Sequence, residues 1–169
     1  MAKTEVWQRG PIEAVPDAFQ PIAHILLQVD ESVREMVGEL TDDQWNARPA
    51  NIASPAFHVR HIAGVIDRLF TYARGEPLSD EQFAALRREG DAVHGDDVRG
   101  ALDLVTARVN DAIEQLRNTD AATLGDFRSV GRSRLPSTVV GCLVHGAEHA
   151  MRHVGQLSVT VRIVKAENP

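Results

Sequence analysis

The stretch Val139-Val-Gly-Cys-Leu-Val-His145-Gly-Ala-Glu-His149-Ala-Met-Arg-His153-Val-Gly-Gln156-Leu-Ser-Val-Thr-Val-Arg-Ile-Val164 decides what kind of fold this chain adopts. Its apolar residues Val139, Leu143, Ala150, Val154, Leu157, Val161 and Val164 recur at helical spacing and mark one face of a long α-helix beginning near Ser137. Beside that face runs a ladder of three histidines, His145, His149 and His153, each four residues from the next. Four residues advance an α-helix by about 400°, so successive rungs stand one turn apart and are rotated by only about 40°. Adjacent rungs can therefore aim their imidazoles at one point, as two ligands of a metal ion must.

Three further segments carry the same periodicity. The first is marked by Phe19, Ile22, Leu26, Val29, Val33, Met36 and Leu40, with Pro21 confined to its opening turn because deeper in it would remove a hydrogen bond. Thr41-Asp-Asp then reads as a polar turn or cap, and Arg48-Pro49 breaks any continuation. The second starts from Ser54 as N-cap, with Pro55 at the first helical position where its missing N–H costs nothing. It runs through Phe57, Ile62, Val65, Ile66, Leu69 and Ala73 and stops at Gly75. A shorter helix follows around Ser79 to Arg88, opened by a capping-box pattern between Ser79 and Gln82. Val98, Leu102, Val105, Val109, Ala112 and Leu116 mark the third long helix. The segment from Asn118 to Leu135 reads as loop. With no strand pattern, the expectation is an all-α four-helix bundle with an extra short helix between helices two and three. There is no internal repeat and no low-complexity linker, so one domain is expected over residues 1–169.

The chain's 18 Lys and Arg against 24 Asp and Glu leave a net charge of -6. No dense basic block appears, which argues against a nucleic-acid or anionic-membrane partner. No apolar run is long enough to span a bilayer, and Met1 to Trp7 lacks a signal-peptide core. The single cysteine, Cys142, excludes an internal disulfide and fits a reducing cytoplasm. It lies about 10 Å along the helix from His149, too far to share an ion, and reads as a small buried hydrophobe.

His149 and His153 flank the apolar stripe of the fourth helix and should point inward, where an unpaired imidazole is costly. A third ligand must then come from another element. The second helix offers two candidates. His61 lies between Phe57 and Val65 on the core side, with Gly64 leaving room beside it, and His58 shares that face less clearly. Three neutral imidazoles around a divalent ion leave an open coordination position, the arrangement of a catalytic site. His145 reads as a lining or supporting residue, and His24 and His94 as exposed. Three imidazoles suit zinc, nickel, copper and iron alike.

The run His149-x3-His153-x-Gly-Gln156, together with Ser54-x6-His61-Ile62, resembles the DinB-like (damage-inducible) four-helix-bundle proteins. So do Trp45-Asn-Ala-Arg-Pro49 ahead of the second helix and Leu135-Pro-Ser-Thr-Val-Val-Gly leading into the fourth. The resemblance implies a metal triad on His61, His149 and His153, a divalent ion that is most often zinc or nickel, and a homodimer. It also implies a possible activity, since characterised relatives move low-molecular-weight thiols onto electrophiles or isomerise maleylpyruvate.

Three functions follow. The first is a metal-dependent thiol S-transferase acting on a small-molecule electrophile, since a thiol of pKa ~8.5 needs activation at neutral pH. In it Gln156 is a candidate to orient a ligand or substrate, against a reading as helix-end surface. Arg132 and Arg134 are candidates to clamp a carboxylate or the thiol's acidic end, against a reading as solvated loop arginines. The second is a metal-dependent hydrolase, which needs a base near the ion. The nearest carboxylates, Glu148 and Asp67, both point away by helical rotation. The third is a non-enzymatic, stress-related metal-binding module. The acidic charge disfavours DNA binding.

Overall fold

The computed structural model describes residues 4–167, so the expectation placed on Met1 to Trp7 falls partly outside it. Six α-helices appear among the described residues: α1 (Gln20–Val37), α2 (Asp42–Asn46), α3 (Pro55–Ala73), α4 (Asp80–Arg88), α5 (Asp96–Asn118) and α6 (Val139–Glu167). The four long ones form the expected all-α bundle. α1 packs on α5 and α6, and α3 packs on the same two, so α1 and α3 stand on one diagonal and α5 and α6 on the other. No helix among the described residues is long and apolar enough to cross a membrane.

The local signals account for the boundaries. Ser54 Oγ accepts from the Phe57 N–H and Pro55 occupies the first turn of α3. Ser79 and Gln82 close a reciprocal capping box on α4. Thr41 and Gln44 close another, and here the expected polar turn is itself a short helix, α2. α2 contacts α3 and α6 and buries Trp45 completely. The α6 stripe is buried along its length, with Leu143, Ala150, Leu157 and Val164 at 0% exposure.

One expectation is overturned. The segment Asn118 to Leu135, read as loop in a chain without strands, folds partly into an antiparallel hairpin, β1 (Phe127–Val130) and β2 (Leu135–Thr138). Pro136 sits inside β2 opposite Ser129, which a two-stranded ribbon tolerates because both strands are edges. Phe-Arg-Ser-Val and Leu-Pro-Ser-Thr are four residues each and do not alternate apolar with polar side chains, so neither carries the period-two signal of a strand. The hairpin is held by tertiary contact: the Arg128 Nε–H donates to the Ala73 carbonyl at 2.6 Å, satisfying one of the open carbonyls at the end of α3.

α3 and α6 share the most extensive interface of the bundle. Gly146 makes that approach possible, since a Cβ there would stand 3.2 Å from Cε2 of Phe70 and 3.4 Å from Cβ of Leu69. Gly155, also on α6, has nothing within 4 Å of such a Cβ. Gly146→Val should therefore overpack the interface and cost about 1–3 kcal/mol in urea unfolding. Gly155→Ala should leave stability unchanged or raise it by up to about 1 kcal/mol. Equal effects at the two positions would contradict the packing described.

Candidate metal centre

α3 and α6 run antiparallel, so their histidines meet in reverse order. His61 Nε2 lies 3.1 Å from His149 Nε2, and one turn further His58 Nδ1 lies 3.0 Å from His153 Nδ1. The rings of His61 and His153 are closer still, with centroids 4.3 Å apart. His61, His149 and His153 each offer a nitrogen such that all three lie within 4.8 Å of one another. The His58 contact occupies Nδ1 of His153 and leaves Nε2 as its candidate donor.

Proton positions show what this cluster can hold. Nδ1 of His61 is 2.8 Å from Oε2 of Glu89. An ionised carboxylate only accepts, so the His61 proton sits on Nδ1 and Nε2 presents a lone pair to His149. Hydrogen bonding alone then requires the His149 proton on Nε2. That strips Nδ1 of its hydrogen, and Nδ1 is buried with no partner. A cation shared by both Nε2 atoms satisfies the two lone pairs together. Two nitrogens bound at about 2.0–2.1 Å to one tetrahedral zinc ion stand about 3.3 Å apart, close to the observed separation. The donor set fits a divalent ion.

The surroundings favour the neutral form of His58, His149 and His153, the form a metal ligand needs. Burial, followed by the neighbouring His61, pushes His58 down to about 4. Burial, then His61, His58 and His149, pushes His153 down to about 4, and His149 is lowered mainly by burial. Burial also acts to raise Glu89, but its hydrogen bonds to His61 and Arg68 outweigh this and hold the carboxyl below its ordinary value.

Glu89 is the residue that local sequence reasoning missed, while His58, one of the two candidates on the second helix, takes a supporting place beside the cluster. Glu89 follows α4, is 5% exposed, and pairs with Arg68 Nη1 at 2.6 Å as well as with His61. Gly64 admits this pair, because a Cβ there would collide with Glu89 Oε1 and Arg68 Nη1. No periodic pattern marks a lone glutamate after a short helix. His58 did carry a signal, since its spacing of three from His61 puts both on one side of α3. Buried to 4% exposure, it holds the ring of His153 through the contact between their Nδ1 atoms, and unlike the Glu89 carboxylate it can donate or accept there. Phe57 stacks on His61 at 5.3 Å and 12°.

The other expected residues divide. His145 is exposed, packs edge-on against His149 and lies 3.5 Å from Glu148. His24 is half-buried rather than exposed, because its Nε2 pairs with the Gly10 carbonyl; His94 is exposed. Glu148 is engaged by Arg152, and Asp67 by Gln82 and Arg108. Gln156 and Arg134 are exposed, and Cys142 is buried beside Ser137.

A cleft of about 630 Å³ opens onto His61, His145 and His149. Its wall includes Val65, Leu69, Tyr72 and Phe83, with Arg132 from the hairpin turn 5.0 Å above the Phe83 ring. The sequence profile of the DinB superfamily matches residues 25–157, a span that carries all the clustered histidines and Glu89. The chain belongs to the DinB superfamily. No curated protein matches it. Membership and the histidine cluster together point to metal binding in this DinB protein.

Because His58 and His153 titrate at about 4 in the fold against an ordinary 6.5, the unfolded chain takes up more protons in that interval. Their contribution to stability is present above pH 6.5 and is lost as pH falls through about 4. Urea midpoints measured with a chelator should drop across this window, and less so in His58→Gln. A flat wild-type profile would contradict the buried, neutral imidazoles.

Proposed function

We propose that His61, His149 and His153 hold a divalent ion, zinc or nickel, and that this DinB protein is a metal-dependent transferase joining a low-molecular-weight thiol to an electrophilic small molecule. The observation that carries the reading is a set of three imidazole nitrogens within 4.8 Å of one another at the edge of a cleft large enough for a small molecule. When bound, the ion supplies a Lewis-acid position that lowers the pKa of a thiol. Glu89 holds the His61 proton on Nδ1, His58 holds the ring of His153, and Phe57 fixes the plane of His61. The apolar wall formed by Val65, Leu69 and Phe83 shields the reacting atoms from water. In the transfer a sulfur–carbon bond forms, the carbon–leaving-group bond breaks, and the thiol proton passes to solvent.

A hydrolase reading is weaker because Glu148, Asp67 and Glu89 are each committed to an arginine or histidine partner, leaving no carboxylate poised as base. We also take the assembly to be a homodimer in the cytoplasm, a reading supported by family membership, the exposed Val140, Val144 and Val159 on α6, and the free Cys142.

Metal analysis of purified protein should find about one divalent ion per chain, lost in His61→Ala and His153→Ala. Glu89→Gln should keep the fold and weaken the ion by about 10–100-fold in chelator competition. The loaded protein should accelerate the reaction of at least one common thiol with chloro-dinitrobenzene, and the His61→Ala variant should not. Stoichiometric metal without thiol-dependent turnover favours the non-enzymatic module, and ester cleavage without thiol favours the hydrolase.

A further inference from the structure

The cleft beside the histidines reverses the charge of the molecule around it. The chain carries 24 acidic against 18 basic side chains, yet no Asp or Glu is among the residues lining this cleft, while Arg68, Arg87 and Arg132 are. The neighbouring cleft near α4 is mixed in charge, lined by Asp67, Glu89 and Asp91 together with Arg60, Arg88 and Arg108. Arg68 spends its charge on Glu89 at 2.6 Å. Arg87 and Arg132 have no carboxylate partner among the described residues, and both face a wall that is otherwise largely apolar. Arg132 is brought there by the turn of the hairpin and lies over the Phe83 ring, so the guanidinium stands above an apolar surface.

We propose that Arg87 and Arg132 form an anion-recognition site, and that the cleft selects small molecules combining a carboxylate with an apolar or aromatic body. This deepens the proposed function by naming the substrate class of the same cleft, and rests on that reading for its chemistry. The guanidinium groups take the carboxylate through charge-assisted hydrogen bonds, and Val65, Leu69, Tyr72 and Phe83 cover the apolar body. The electrophilic carbon is then presented towards the His61 and His149 end of the cleft. For a chloro-dinitrobenzoate the sulfur–carbon bond forms as the carbon–chlorine bond breaks, chloride leaves, and the thiol proton passes to solvent.

The test is equilibrium binding, measured by calorimetry on zinc-loaded protein with dinitrobenzoate and with its neutral amide, neither of which reacts. Dinitrobenzoate should bind at least about fivefold tighter than the amide, with the preference shrinking as salt is added. In the Arg87→Gln, Arg132→Gln double variant the two should bind alike, with affinity for the amide unchanged. Equal binding of acid and amide to the wild type overturns the proposal. So does a preference that survives in the double variant but vanishes in His153→Ala, since the carboxylate would then sit on the ion. No thiol or turnover enters this readout, so an absence of thiol transfer and an absence of anion recognition are separately visible. In the kinetic arm, the ratio of kcat/KM for chloro-dinitrobenzoate over chloro-dinitrobenzene should fall in the double variant.

Discussion

The close approach of α3 and α6 is the constraint on which the rest of the molecule depends. A glycine at position 146 lets Phe70 and Leu69 lie against the α6 backbone, and the antiparallel crossing that results draws His58 and His61 up to His153 and His149. The bundle could bury its apolar stripes at several helix separations. Imidazole nitrogens 3.0 and 3.1 Å apart tolerate far less, because a hydrogen bond or shared ligand fails within a few tenths of an ångström. Packing of the α3–α6 seam and geometry of the site are thus one problem with one solution.

The polar groups of that seam are stable only as a set. A buried imidazole, arginine or glutamate costs several kcal/mol when left without a partner. Here Arg68 pairs with Glu89, Glu89 with His61, His61 with His149, and His153 with His58. The chain of contacts leaves Nδ1 of His149 as its one buried orphan. Glu89 fixes the His61 proton on Nδ1 and so directs the Nε2 lone pair of His61 at Nε2 of His149. The arrangement serves the capture of a cation better than it serves hydrogen bonding.

The hairpin between α5 and α6 ties the site to its cleft. Arg128 fastens it to the carboxyl end of α3, and its turn carries Arg132 over the wall of the cleft. A feature of modest stability by itself thereby sets the polarity of the surface next to the histidines. In this chain the bundle supplies the seam, and the connection into α6 supplies Arg132 to the cleft.

Much of this was legible in residue order. Apolar steps of three and four residues placed the long helices, and Ser54-Pro55 and Ser79-to-Gln82 placed their starts, because caps and helical faces are set by neighbours within a turn or two. The same short-range rule made His149 and His153 a pair. Singling out His61 as their partner needed the family resemblance, since His58 stood equally near on the chain and the structure gives it a supporting contact instead. Glu89, Arg68 and the hairpin were invisible for a common reason. Each is held by groups 21 or more residues away, such as Arg68 on Glu89 and Ala73 on Arg128, and no local period reports such a contact. Residue order set which faces are apolar and which imidazoles share a turn. Only the folded chain decided which buried charges meet, because that depends on how close two helices come, and here on a single missing Cβ.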